Sequence, residues 1–240
     1  MSMDPVLARA CGLWEELARV PASFDPVGGV RVVVSPESWM CPPGWAGVVV
    51  LGGSAIVAAP NEASAGLIGD AFSGLKVEAV ADAEAVGSVL PIVEVLGPAA
   101  LEYLAEDEFR PVRTGPHVVD QLPAGDPELL RLAKSVGGDD AGEAGLDEIT
   151  SPAFVIRIGG EVVAASGYRV WPRGTAHLSV LTASGWRGRG LARATASGAV
   201  GHVLAAGLFP QWRARSVESR RVAEGLGFRQ LGAQLSFKLA

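Results

Sequence analysis

The sequence is short of cysteine, of basic charge and of long apolar runs. Cys11 and Cys41 are its only cysteines. Two cannot build a disulfide framework or a cysteine metal cluster, so a reducing cytoplasm is the expected setting and no metal is expected. Lys and Arg number 20 against 26 Asp and Glu, for a net charge of −6. A general nucleic-acid binder needs the opposite balance, because phosphate backbones reward basic surfaces. The two most apolar windows are 47–60 and 191–209. Gly52, Gly53 and Ser54 break the first, and Arg193 and His202 interrupt the second. Neither has the ~20 uninterrupted apolar residues of a membrane span. Asp4, Glu15 and Glu16 likewise break the apolar stretch in which a signal peptide would be continuous. The expectation is a soluble, cytoplasmic protein with neither membrane nor nucleic acid as partner.

What is present is an ordinary folded composition: 240 residues, 49% hydrophobic, 19% charged, with 31 glycines. That length suits one large or two small domains. Asp4-Pro5 is a cap-plus-proline start for an amphipathic helix to about Val20. Val30–Val34 reads as a strand, and Val48–Leu51 and Ala55–Ala59 as a hairpin about Gly52-Gly53-Ser54. Asn61 caps a helix to about Phe72. A strand is expected near Leu75–Val80, a helix from Asp82 through Leu90, and another from Pro98 through about Glu106. This half shows no catalytic constellation. Arg110–Asp126, with Pro111, Gly115, Pro116, Pro123 and Gly125, reads as a connection. The expected domains are 1–110, a linker 111–125, and 126–240.

The second half opens on Asp126-Pro127, another helix start. An acidic, Gly-rich loop with a short helical turn follows at 137–145. Phe154–Ile158 and Glu161–Val170 form a hairpin, and Thr175–Leu181 a third strand. Next come Arg187-Gly188-Arg189-Gly190 and a long apolar helix to about Gly207. Gln211–Arg215 reads as a strand, Val217–Leu226 as a helix capped by Gly227, and Gln234–Leu239 as a last strand. The order is α-β-β-β-α-β-α-β, a mixed α/β (α+β) layer. Glycines at a helix N-terminus turn backbone N–H groups outward, and the macrodipole favours an anion there. With Arg187 and Arg189 beside them, the corner is a candidate pyrophosphate site.

This order and two motifs resemble the GNAT superfamily of N-acetyltransferases over roughly residues 126–240. The first motif is its phosphate turn, Gln/Arg-x-x-Gly-x-Gly/Ala. Taken from Gly185, the segment Gly185-Trp186-Arg187-Gly188-Arg189-Gly190 matches the glycines and lacks the leading Gln/Arg. The second is a helix ending Leu-Gly-Phe, here Ser219 to Phe228. The phrases VLT…RGRGLA, PQWRA and S…AEGLGF are similar to a bacterial branch with a divergent N-terminal domain, a smaller α/β half that is itself GNAT-like. The resemblance implies a GNAT fold with a central, mostly antiparallel sheet flanked by helices.

It also implies acetyl-CoA as acyl donor and a small-molecule or peptide amine as acceptor, joined by direct attack in a ternary complex. Homodimers are common in this fold. The implied CoA contacts are Val180, Leu181 and Thr182 of the third strand, Arg187, Gly188, Arg189, Gly190, Leu191 and Ala192 of the turn, and Ser216 and Ser219. Ser216 stands where many members carry an Asn that contacts CoA. Ala223 stands where many carry a tyrosine general acid, and it cannot donate a proton. The catalytic candidates are therefore His177, Tyr168, Glu218 and Ser216, with Asp147 and Glu148 bordering the acceptor. His202 reads as structural, and Trp171, Trp186 and Trp212 are expected near one another. Two alternatives remain. One is a degenerate CoA-binding module with a regulatory or scaffolding role, which Ala223 favours. The other is a Rossmann-type domain, disfavoured because no acidic residue follows the turn at the ribose-binding distance.

Overall fold

The computed structural model describes residues 4–25, 27–112 and 117–240; Gly115 and Pro116 of the expected connection lie outside them. Capping sets the helix starts. Asp4 accepts from the Val6 N–H at 2.8 Å and opens α1 (Pro5–Leu17). The strands β1 (Gly29–Val34), β2 (Ala46–Leu51) and β3 (Ser54–Ala59) follow. Asn61 accepts from Ser64 at 2.9 Å at the head of α2 (Glu62–Phe72), and Asp82 from Ala85 at 2.8 Å at that of α3 (Ala83–Val89). Then come β4 (Ile92–Tyr103), β5 (Asp120–Leu122) and α4 (Pro127–Lys134), whose cap Asp126 accepts from Glu128 at 2.8 Å. Such caps contribute about 1 kcal/mol each. The remaining elements are α5 (Gly138–Ala144), β6 (Ala153–Ile158), β7 (Glu161–Trp171), β8 (Thr175–Thr182), α6 (Leu191–Ala205), β9 (Phe209–Ala214), α7 (Val217–Gly225) and β10 (Arg229–Leu239).

Two expectations are corrected. Residues 98–103 extend β4 rather than forming a helix from Pro98. The run Ala99 to Tyr103 is buried on that strand, so tertiary pairing overrides the helix propensity of its Ala, Leu and Glu. In place of a strand near 75–80, Val77–Ala81 is a 3₁₀ turn. Val77 and Val80, three apart, eclipse on one side of it and both pack on the core of β2 and β3.

The chain divides into two compact units, discontinuous in sequence. The first comprises residues 1–102, 214–216 and 230–240; the second comprises 103–213 and 217–229. In the first, strands run in the order β1-β3-β2-β10-β4. β1 is parallel to β3, and β2 is antiparallel to both β3 and β10. Its core is Val48, Val50, Val57, Ile68, Phe72, Leu235 and Phe237 with their neighbours.

In the second unit the order is β9-β8-β7-β6-β5, antiparallel throughout except for the parallel β8–β9 pair. Alternation along β7 sorts its faces. Ala165 packs with Leu129 and Leu132 of α4, while Ala164 packs with Leu191 and Ala194 of α6. Ser166, also facing α6, shares a 2.7 Å hydrogen bond with Thr195. Gly227, which ends α7, has φ +99°, and a β-carbon there would collide with the Glu108 carbonyl oxygen. Glycine is required at that corner by both conformation and space.

Candidate functional site

The geometry of β8 defines the site. Its inner edge pairs with β7 along the whole strand, from Trp171↔Thr175 to Ala164↔Thr182. Its outer edge pairs with β9 only through Thr175↔Phe209, Ala176↔Pro210 and His177↔Gln211. Beyond His177 the β8–β9 ladder ends, although β8 runs on to Thr182. No β9 residue pairs with that outer edge in the Val180–Thr182 stretch, where the Thr182 carbonyl accepts from a side chain instead. Leu181 is buried in the α4 core, and its main-chain groups face β7 in the rung with Ala165. The Thr182 hydroxyl is buried with no hydrogen-bond partner among the described residues, a donor-acceptor left for something else to satisfy.

The chain then turns into α6. The Trp186 N–H donates to the Ala183 carbonyl at 2.8 Å, closing one 3₁₀ turn. Gly188 and Gly190 follow with φ +74° and +77°, and a β-carbon on either meets nothing within 4 Å. Gly190 caps α6 without any side-chain hydrogen bond. The first intrahelical bond runs from the Ala194 N–H to the Gly190 carbonyl, so the N–H groups of Leu191, Ala192 and Arg193 have no partner within the helix. An uncapped helix start beside open, glycine-lined space is an anion site in form.

Because the helix begins at Leu191, the phosphate-turn pattern is better taken from Arg187. Arg187-Gly188-Arg189-Gly190-Leu191-Ala192 satisfies Gln/Arg-x-x-Gly-x-Gly/Ala in full, and the missing leading residue was a matter of register. Arg187 reaches back, its Nη2 2.7 Å from Asp140 of α5 and its Nε donating to the Thr182 carbonyl at 3.3 Å. Arg189 lies 4.5 Å over the Trp186 ring.

His177 stands at the last paired rung of β8 and β9. Its ring stacks on Trp171 at 4.2 Å and 18°, and its Nδ1 shares a short hydrogen bond with Oε1 of the fully buried Gln211. Burial, then the nearby positive charge of Arg213, with a smaller contribution from Arg169, lower its pKa to about 3 against the support of the Gln211 bond. The imidazole is neutral at physiological pH. Gln211 was not singled out in the sequence; only its place opposite His177 reveals it, and that depends on the β8–β9 register.

The other candidates scatter. Tyr168 is buried on β7, its hydroxyl 2.9 Å from His202 Nδ1 on α6, and burial raises its pKa. Ser219 accepts a 3.0 Å hydrogen bond from the Trp212 indole N–H. Glu218 is exposed in the first turn of α7; Ser216 is exposed and belongs to the 214–216 segment of the first unit. Glu148 pairs with Arg169 at 2.9 Å, and Asp147 is exposed. Ala223 is fully buried. Of the three tryptophans, Trp171 stacks on His177, Trp186 lies under Arg189, and Trp212 meets Phe228 edge-on. Among the described residues no three His, Cys, Asp or Glu side chains converge as a metal site, and no helix is long and apolar enough to cross a membrane.

No curated protein sequence matches this one significantly. Among solved structures, a GNAT-family acetyltransferase from Novosphingobium aromaticivorans is similar at 23% identity over 62% of this chain and 67% of its own, with a TM-score of 0.50. One of the GNAT family from Colwellia psychrerythraea aligns at 15% identity over 62% and 59%, TM-score 0.45. A GCN5-related N-acetyltransferase from Kribbella flavida aligns at 16% over 65% and 62%, TM-score 0.46. The last two alignments span less than two thirds of those chains. Residues 151–233, which run from β6 through the turn and α7 into β10, match the family model described as GNAT acetyltransferase. The match to the GNAT acetyltransferase family thus extends over residues 151–233, and the mixed α/β layer is that of the GNAT fold.

Proposed function

We propose that the chain is an N-acetyltransferase that takes acetyl-CoA as donor and an amine as acceptor. The observation that carries the reading is the uncapped start of α6 at Leu191, preceded by the two left-handed glycines Gly188 and Gly190 with open space over them. A pyrophosphate fits that place on charge and on donor geometry. Arg187 and Arg189 add charge-assisted contacts. The outer edge of β8 beyond His177 would pair with the amide-bearing pantetheine arm, and a backbone N–H there would polarise the thioester carbonyl.

The reaction moves an acyl group from sulfur to nitrogen. The C–N bond forms, the C–S bond breaks, one proton leaves the amine nitrogen and one is taken up by the departing thiolate. His177 is the candidate that stands at the opening. Tyr168 and Ser219 already hold partners within the second unit, and their roles are read as structural. Positioning of the two substrates can itself supply a large share of the rate.

A second reading, a CoA-binding module without turnover, is favoured by Ala223, which is apolar and buried at the position of the usual acid. Thermal shift with acetyl-CoA, CoA and NADH separates the binding classes. Thiol release from acetyl-CoA over a panel of primary amines and peptides then separates enzyme from module. Stabilisation by NADH with no response to either CoA species would sink both readings.

A further inference from the structure

We infer that Gln211 is a positioning residue that fixes His177 as its Nδ1–H tautomer, leaving Nε2 as the hydrogen-bond acceptor for the incoming amine where the β8–β9 ladder ends. The inference deepens the acetyl-transfer reading and rests on it.

The steps are local. His177 and Gln211 are directly opposite in the parallel register, so both side chains leave the sheet on one face at the last rung the strands share. The Gln211 side chain is fully buried, with its carbonyl oxygen on His177 Nδ1. A carbonyl oxygen only accepts, so a neutral imidazole bonded to it carries its single proton on Nδ1. No other hydrogen bond to that ring is present among the described residues, which leaves Nε2 with its lone pair. The Trp171 face, stacked at 4.2 Å, fixes the ring plane. Unconstrained imidazole favours the opposite tautomer, and the protein overrides this with one amide.

The cost of the arrangement is visible. Gln211 Nε2 is buried without a hydrogen-bond partner among the described residues. Such a donor costs about 1–3 kcal/mol, which a Leu or Met at this position would not incur. A purely structural strand position gives no reason to retain it. The charged groups that bear on the ring, Arg213 of β9 and Arg169 of β7 (the latter paired with Glu148), all work against an imidazolium. His177 is therefore a neutral acceptor that orients the amine lone pair toward the carbonyl, rather than a reservoir that stores its proton.

The test is side-chain ¹⁵N NMR of the full chain labelled at histidine. Wild type should show His177 with a protonated Nδ1 and an unprotonated Nε2 from pH 5 to 8. Gln211→Leu should move the ring to the Nε2–H form. Gln211→Glu, nearly isosteric and a check should the leucine variant misfold, should return the His177 pKa to about its ordinary value near 6.5 or above. In the thiol-release assay Gln211→Leu should lower turnover at least about tenfold, worth ~1.4 kcal/mol, at unchanged CoA affinity by calorimetry. An Nε2–H tautomer in wild type, or a tautomer indifferent to Gln211→Leu, overturns the inference, as does unchanged turnover in that variant. A wild type that binds no CoA sinks the acetyl-transfer reading instead, while the NMR result still decides what Gln211 does.

Discussion

Gly188→Glu is the sharpest probe of the turn. Gly188 has φ +74°, and a β-carbon added there meets nothing within 4 Å. Any residue at that position incurs the left-handed strain, about 1–2 kcal/mol, without a steric clash. Gly188→Ala and Gly188→Glu should therefore lose similar stability, a fall in Tm of about 2–8 °C for a chain of this size. Their CoA affinities should diverge. A carboxylate about 4 Å from a phosphate charge costs about 1 kcal/mol at the dielectric of water and about 4 at an effective value of 20. Two phosphate charges double this, and salt reduces it. Even the lower limit, about 2 kcal/mol, weakens binding about 30-fold. Isothermal calorimetry with CoA on both variants reads the difference. Equal CoA affinity in the folded Glu and Ala variants would refute the assignment of this turn to the pyrophosphate.

Three further outcomes are expected. Asp140→Asn frees Arg187 from its 2.7 Å ion pair; both side chains are about half exposed, so the pair is worth at most about 1 kcal/mol and CoA affinity should rise by up to about fivefold at low salt. A fall in affinity, by the same calorimetry, would mean that Asp140 orders the turn instead of competing with the ligand. Gly227→Ala meets a positive φ and the Glu108 carbonyl at once, so urea unfolding should show a loss of at least about 2 kcal/mol. His177 gives a pH dependence of defined sign. Its folded pKa of about 3 lies below the ~6.5 of the unfolded chain, so between those values the unfolded state binds more protons and stability falls as pH falls, by up to about 1.4 kcal/mol per pH unit. Relative to wild type, His177→Gln should lose less stability between pH 7 and pH 5; parallel loss would show that the ring is not held neutral.

The parts that were legible in the sequence are those set by neighbours along the chain. Asp4, Asn61, Asp82 and Asp126 announced their helices because a cap is a contact over two or three residues. The Gly188/Gly190 turn was legible for the same reason, although its register waited on where α6 begins. Residues 98–103 misled because Ala, Leu and Glu prefer helix until a neighbouring strand claims them. The partners of the candidate side chains were the least legible, since a side chain's partner is set by pairing across the sheet. Nothing in the string ties Tyr168 to His202, 34 residues on, or His177 to Gln211 at the same separation.

β10 has a consequence for synthesis. β2 takes one partner, β3, within a few residues, but its other edge is covered by residues 232–237, made roughly 180 residues later. At the usual ~5–20 residues per second, the nascent first unit presents Val48–Val50 along an open strand edge for about ten to forty seconds. Throughout that interval the second unit is being threaded and folded. The step that closes the first unit is thus postponed until most of the second has emerged, and the interval is the one in which a holdase or a stray strand would find the chain.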